Sequence, residues 1–128
     1  MTQADTSGSA AKTVLLCEDE YIVAMDLQLI LEDFGYKVVG PFAKVSAGLD
    51  AVQDFSPDVA FLDVNLRDGQ VFPLADVLKE RGVHLVFHSG HMDDSEIVNR
   101  YPGAMTCPKP VDTTRLEAAL IAPETASG

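Results

Sequence analysis

The stretch Val59-Ala60-Phe61-Leu62-Asp63-Val64-Asn65-Leu66 decides the fold. It opens as an apolar run of strand length, and one carboxylate, Asp63, breaks it. Arg67-Asp68-Gly69 follows and reads as a turn. A short apolar run bounded by turn signals suits a strand buried on both faces. That is the state of strands in a parallel sheet, whose crossover helices cover both sides. Open α/β sheets bind ligands at the carboxyl ends of their strands, so Asp63 stands where chemistry is expected.

The flanking sequence repeats the pattern. Thr13-Val14-Leu15-Leu16-Cys17 is a buried-type strand that stops at Glu18-Asp19-Glu20. Ile22, Met25 and Leu29 then interleave with Val23, Leu27, Ile30 and Phe34 at helical spacing, and Gly35 ends that helix. The acidic run falls at a helix start, where the dipole tolerates negative charge. Tyr36 to Val39 is the second strand, closed by Gly40-Pro41. Val45, Leu49, Val52 and Phe55 mark a second helix, broken by Ser56-Pro57-Asp58. Phe72 to Leu78 gives a third helix, ended near Gly82, and Val83 to Phe87 a fourth strand closing on His88-Ser89-Gly90. A weakly amphipathic helix is expected over Asp94 to Arg100, and a brief fifth strand over Ala104 to Thr106. Pro108-Lys109-Pro110 is a rigid loop, and Asp112 can cap a last helix carrying Leu116, Ala119 and Leu120. Residues 1–12 and 122–128 read as disordered tails around one domain, 13–121.

Strict alternation of strand and helix argues a parallel α/β sheet with right-handed crossovers. Five strands favour the flavodoxin-like (βα)5 order 2-1-3-4-5. That order gathers Glu18 and Asp19, Asp63, Ser89 and Lys109 at neighbouring strand ends.

Composition narrows the function. Nine Lys and Arg against 20 Asp and Glu give a net charge of −11, which argues against direct nucleic-acid binding. No apolar run approaches the roughly 20 residues of a membrane span, and no secretory leader pattern opens the chain, so a cytoplasmic protein is expected. Cys17 and Cys107 have no metal or redox spacing. His88 and His91 flank Ser89, too few ligands for a structural zinc site.

Carboxylates from two neighbouring strand ends suit a hard cation bound through oxygens. Ser89 and Lys109 add a hydroxyl and a cation opposite. A carboxylate nucleophile between a metal and a lysine is an arrangement for phosphoryl transfer, because both cations offset charge on the transferring group.

With these residues in this order, the chain over about residues 13–121 resembles the receiver domain of bacterial two-component response regulators. Leu15-Leu16-Cys17-Glu18-Asp19-Glu20 is similar to the family's acidic pair after the first strand. Asp63 matches the phosphoacceptor, and Asn65 the position whose backbone carbonyl ligates the metal. Ser89 matches the switch hydroxyl, and Lys109-Pro110 the phosphoryl-binding lysine with its typically cis bond to proline. The resemblance implies Mg²⁺ (with Mn²⁺ as a substitute) on Asp19 and Asp63 directly and on Glu18 through water. It implies a sensor histidine kinase or histidine phosphotransfer protein as donor. The domain itself would catalyse transfer to Asp63 and later hydrolysis, without turning over an external substrate.

Output is expected as a protein–protein contact, because only a short segment follows Lys109, and the resemblance implies the face of the fourth helix, fifth strand and fifth helix for it. A stand-alone response regulator is therefore expected. Phe87-His88-Ser89-Gly90 is similar to the Phe-Ala-Thr-Gly signature of small receivers in the branch associated with HWE-type histidine kinases. The chain departs from the family pattern at two positions and in the unusual segment His91-Met92-Asp93-Asp94 after Ser89, which leads into the weak helix. Arg67 stands where many receivers have proline, and Thr106 where many have an aromatic residue coupled to the switch. The rival readings are a phosphorylation-independent module on the same fold and a phosphate sink. An aspartate-nucleophile phosphatase would want a second aspartate at Asn65. A flavodoxin would want a phosphate loop where the carboxylates of 18–20 stand.

Overall fold

The computed structural model describes residues 11–90 and 94–121. The elements, in chain order, are β1 (Thr13–Cys17), α1 (Tyr21–Asp33), β2 (Lys37–Phe42), α2 (Val45–Ala51) and β3 (Val59–Asp63). A small hairpin follows, β4 (Asn65–Leu66) with β5 (Gly69–Gln70). Then come α3 (Phe72–Glu80), β6 (His84–Ser89), α4 (Asp94–Arg100), β7 (Met105–Pro108) and α5 (Thr113–Ala119). Five strands form one parallel sheet, ordered β2-β1-β3-β6-β7. With the hairpin set aside, this is the flavodoxin-like order 2-1-3-4-5. Both tail assignments fall almost wholly on residues 1–10 and 122–128, outside the described residues.

β3 is buried along its whole length, as its apolar run requires. Its pleat sends Ala60 and Leu62 into one core with Leu74, Leu78, Ile97 and Tyr101. Val59 and Phe61 go into the other with Leu27, Leu31 and Leu116. α2, α3 and α4 thus cover one face of the sheet, and α1 and α5 the other. Asp63 is the next residue on the Val59–Phe61 side, at the rim where the sheet stops.

Several boundaries differ from the sequence expectation, each for a local reason. β2 does not close at Gly40-Pro41 but runs on to Phe42. Gly40 carries φ +116, and a Cβ there would stand 2.5 Å from the Leu16 carbonyl oxygen. Only glycine lets the strand cross that point, where the β1–β2 register also shifts. The extension matters, because the Phe42 carbonyl then accepts a hydrogen bond from Glu18 N at 2.9 Å. α2 ends at Ala51, so Phe55 lies beyond it. The Arg67-Asp68-Gly69 turn is the tip of the β4–β5 hairpin. β7 is displaced toward Lys109, running to Pro108. Gly35 ends α1 with φ +96, and Asp112 caps α5 by accepting from Thr114 N and Arg115 N.

α4 is short, yet firmly seated at its C-terminal end. Tyr101 is buried, its ring 5.1 Å from Phe87 and 5.9 Å from Phe72 between centroids, and its hydroxyl donates to Asp76 at 2.8 Å. Tyr101→Ala is expected to cost about 3–5 kcal/mol in urea unfolding, as other large aromatic truncations do. Tyr101→Phe loses only the hydroxyl bond and is expected to cost about 1 kcal/mol.

Candidate functional site

Four strand ends converge on one open pocket of about 770 Å³ lined by Asp19, Asp63, Asn65, Ser89 and Lys109 among others. Glu18, almost fully buried, lies beneath it. Parallel pairing brings these residues together. β1 and β3 pair through Cys17–Leu62, so Glu18 and Asp19 emerge beside Asp63. β6 pairs β7 through Ser89–Pro108, so Lys109 emerges beside Ser89, and its N–H donates to the Ser89 carbonyl at 3.1 Å. The Lys109–Pro110 peptide is cis.

Asp63 is held from two sides. Lys109 Nζ donates to Oδ2 at 3.0 Å, and the Asn65 backbone N–H to Oδ1 at 3.2 Å. Carboxylate oxygens of Glu18, Asp19 and Asp63 lie within 4.8 Å of one another. An all-oxygen donor set of this spacing, with a buried Glu18 oxygen lacking any hydrogen-bond partner, fits a hard divalent cation. Asn65 lines the pocket. A Cβ at Gly90 would touch only the Lys109 stem, at 3.8 Å, so this position leaves the mouth open.

Residues 14–121 match the family described as the Response regulator receiver domain. The chain belongs to this family. Receivers are signalling domains, not enzymes that turn over external substrates. Mg²⁺ and an aspartyl phosphate are general to them.

This receiver is 34% identical over 67 residues to the transcriptional regulatory protein PdtaR of Mycobacterium tuberculosis, covering 51% of this chain and 33% of that one. It is 25% identical over 119 residues to the phyllosphere-induced regulator PhyR of Methylorubrum extorquens, covering 91% and 45%. It thus spans a third to a half of the length of these curated relatives. The solution structure of SdrG from Sphingomonas melonis Fr1 is 36% identical with TM-score 0.73, covering 87% of this chain and 94% of that one. SdrG is also known in a BeF3-activated conformation, at 35% identity and TM-score 0.69.

The electrostatics of the site are those of crowded carboxylates. Burial pushes the Asp63 carboxyl up to about 6, with the Lys109 bond opposing and the Glu18 charge adding to the rise. Glu18 moves the other way. Burial pushes it up, but His88, the Glu20 N–H and Asp63 together hold it below the usual carboxylate range. Asp63 is therefore the member of the pair that takes a proton. Burial draws Lys109 down, but its bond to Asp63 leaves it above the ordinary lysine value.

A carboxyl that binds its proton more tightly folded than unfolded favours folding at low pH. For Asp63 that contribution is lost as pH rises from about 4, the unfolded value, to about 6. The expected result is a melting-temperature gap between Asp63→Asn and native protein, both in chelator, that widens in favour of the variant across this window. Thermal unfolding at a series of pH values checks it. A gap that does not change with pH would remove the carboxylate crowding from the account.

Three features were not foreseen. Asp68, expected only as a turn residue, accepts from Val45 N at 2.6 Å and Ser46 N at 3.1 Å, so it caps α2 from across the chain. Arg67, where many receivers have proline, donates its N–H to the Ala43 carbonyl at 3.0 Å, a bond proline cannot make. Ile22, Met25 and Leu29 are exposed, not core, and with Tyr21 they form an apolar ridge on α1. His91 lies outside the described residues.

Proposed function

We propose that this receiver takes a phosphoryl group onto Asp63 from a phosphohistidine, in a Mg²⁺-dependent reaction, and signals by protein–protein contact. The observation that carries the reading is the 3.0 Å bond from Lys109 to a carboxylate that also borders Glu18 and Asp19 in one open pocket. An Asp63 oxygen attacks phosphorus, the phosphorus–nitrogen bond breaks, and the donor histidine leaves with its electron pair. Lys109 offsets charge on one phosphoryl oxygen, and the Ser89 hydroxyl donates to another. Glu18, Asp19, Asp63 and the Asn65 carbonyl are the groups to hold Mg²⁺, or Mn²⁺, which would neutralise the remaining charge.

The α1 ridge supports a protein donor. Glu20, Val23 and Asp26 of the same segment line the pocket, so a surface docked on Tyr21, Ile22, Met25 and Leu29 sits beside Asp63. SdrG's BeF3-activated state supports a phosphorylation-driven switch in this one. Phosphorylation adds roughly 1.5–2 negative charges, which bias an existing two-state surface on α4, β7 and α5. Thr106 of β7, paired with Phe87 of β6, leaves no aromatic residue at the position many receivers use for this relay. An HWE-type kinase is the donor class to test first, on the strength of Phe87-His88-Ser89-Gly90. A cytoplasmic site of action follows from that donor.

Phosphotransfer profiling against the host's histidine kinases tests the proposal. One kinase should transfer to this receiver much faster than the rest. Transfer from none, with a phosphate-loaded kinase set of proven activity, would favour the phosphorylation-independent module.

A further inference from the structure

His88 ends the apolar run of β6 and is 1% exposed. Its ring packs on Phe61, with centroids 5.1 Å apart, and reaches the wall of the Asp63 pocket. Neither ring nitrogen has a hydrogen-bond partner, and neither does Glu18 Oε1. Among the described residues these are the buried side-chain polar atoms left without one, and two of them face each other: His88 Nδ1 lies 3.6 Å from Glu18 Oε1. The other Glu18 oxygen is held by the Glu20 N–H at 3.0 Å.

Burying an imidazole without partners is costly, and an apolar side chain would pack on Phe61 without that cost. The polar ring is explained if the 3.6 Å gap closes when Glu18 is put to use. Groups that hold a cation need partners of their own to fix their orientation. We propose that His88 is a positioning residue for divalent-cation binding, donating its Nδ1–H to Glu18 Oε1 and so orienting that carboxylate toward Asp19 and Asp63. This rests on the proposed cation site.

Calorimetric titration of the full chain with Mg²⁺, with no phosphodonor present, tests it. His88→Leu keeps the volume and loses the donor. It should bind Mg²⁺ on the order of 10- to 100-fold more weakly, while its melting temperature in chelator stays at or above that of native protein. His88→Asn puts an amide nitrogen near the place of Nδ1 and should recover most of the affinity, which an apolar packing role would not allow. In a Glu18→Gln background His88→Leu should have little further effect.

Affinity of His88→Leu within twofold of native would overturn the proposal. So would His88→Asn as weak as His88→Leu, or an undiminished penalty in the Glu18→Gln background. Should His88→Leu fail to fold, His88→Phe keeps the stack on Phe61 and gives the same reading. Native protein that binds no Mg²⁺ would sink the cation site as well. Native affinity with an indifferent His88 sinks this inference alone.

Discussion

Asp63→Asn takes up no phosphoryl group under conditions that convert the native chain. Asparagine preserves the shape of the side chain and can still accept the Asn65 N–H, which holds Oδ1 at 3.2 Å in the native protein. What it loses is the nucleophile. A neutral amide oxygen does not displace a leaving group from phosphorus at a useful rate, so the loss is complete, not partial. The fold should survive, because the substitution also removes a buried charge that Glu18 and Asp19 crowd. Intact mass after incubation with acetyl phosphate and Mg²⁺ reads the adduct. A full adduct on Asp63→Asn would move the acceptor elsewhere.

Lys109→Ala is the second large effect. Formation of the adduct is expected to slow on the order of 10²–10³-fold, the usual consequence of deleting one preorganised charge stabiliser. Two causes act together. The transferring group loses the cation that stands 3.0 Å from Asp63 Oδ2. Asp63 also loses the bond that opposes its rise, so less of it is ionised and nucleophilic at neutral pH. Raising pH should recover the second part and not the first. Lys109→Arg should fall between, since it keeps the charge in a different shape. Rates of adduct formation, measured across pH by quenched mass spectrometry, separate the contributions. A Lys109→Ala rate within a few-fold of native would remove the lysine from the chemistry.

The sheet and the positions around Asp63 were legible in the sequence because parallel strands state themselves as short apolar runs. Their order places Glu18, Asp63, Ser89 and Lys109 at one rim without any knowledge of side-chain contacts. The α1 ridge was not legible. Ile22, Met25 and Leu29 recur at the same helical spacing as Leu27 and Leu31, and periodicity does not say which of two apolar stripes faces the core. His88 was hidden for a similar reason: in a strand buried on both faces, alternation cannot report that one polar residue packs beside Glu18, the carboxylate that follows a strand two places away in the sheet. Asp68 was hidden because its cap joins residues far apart in sequence, and local capping rules look only at the helix's own start.

Arg67 and Asp68 also account for how the loop after Asp63 is held. The hairpin that follows Asp63 is tied to Ala43 by the Arg67 backbone N–H and to the Val45 and Ser46 N–H groups by the Asp68 carboxylate, instead of being stiffened by proline. Those bonds fix the loop beside Asp63 without touching its carboxylate.

The most direct test of the central claim is peptide mapping of the chain after acetyl phosphate, with Mg²⁺ in one sample and chelator in the other. One phosphoryl group on the peptide that contains Asp63, present with Mg²⁺ and absent with chelator, is the expected result. A phosphoryl group on another residue, or an adduct at Asp63 that forms equally well in chelator, would contradict it.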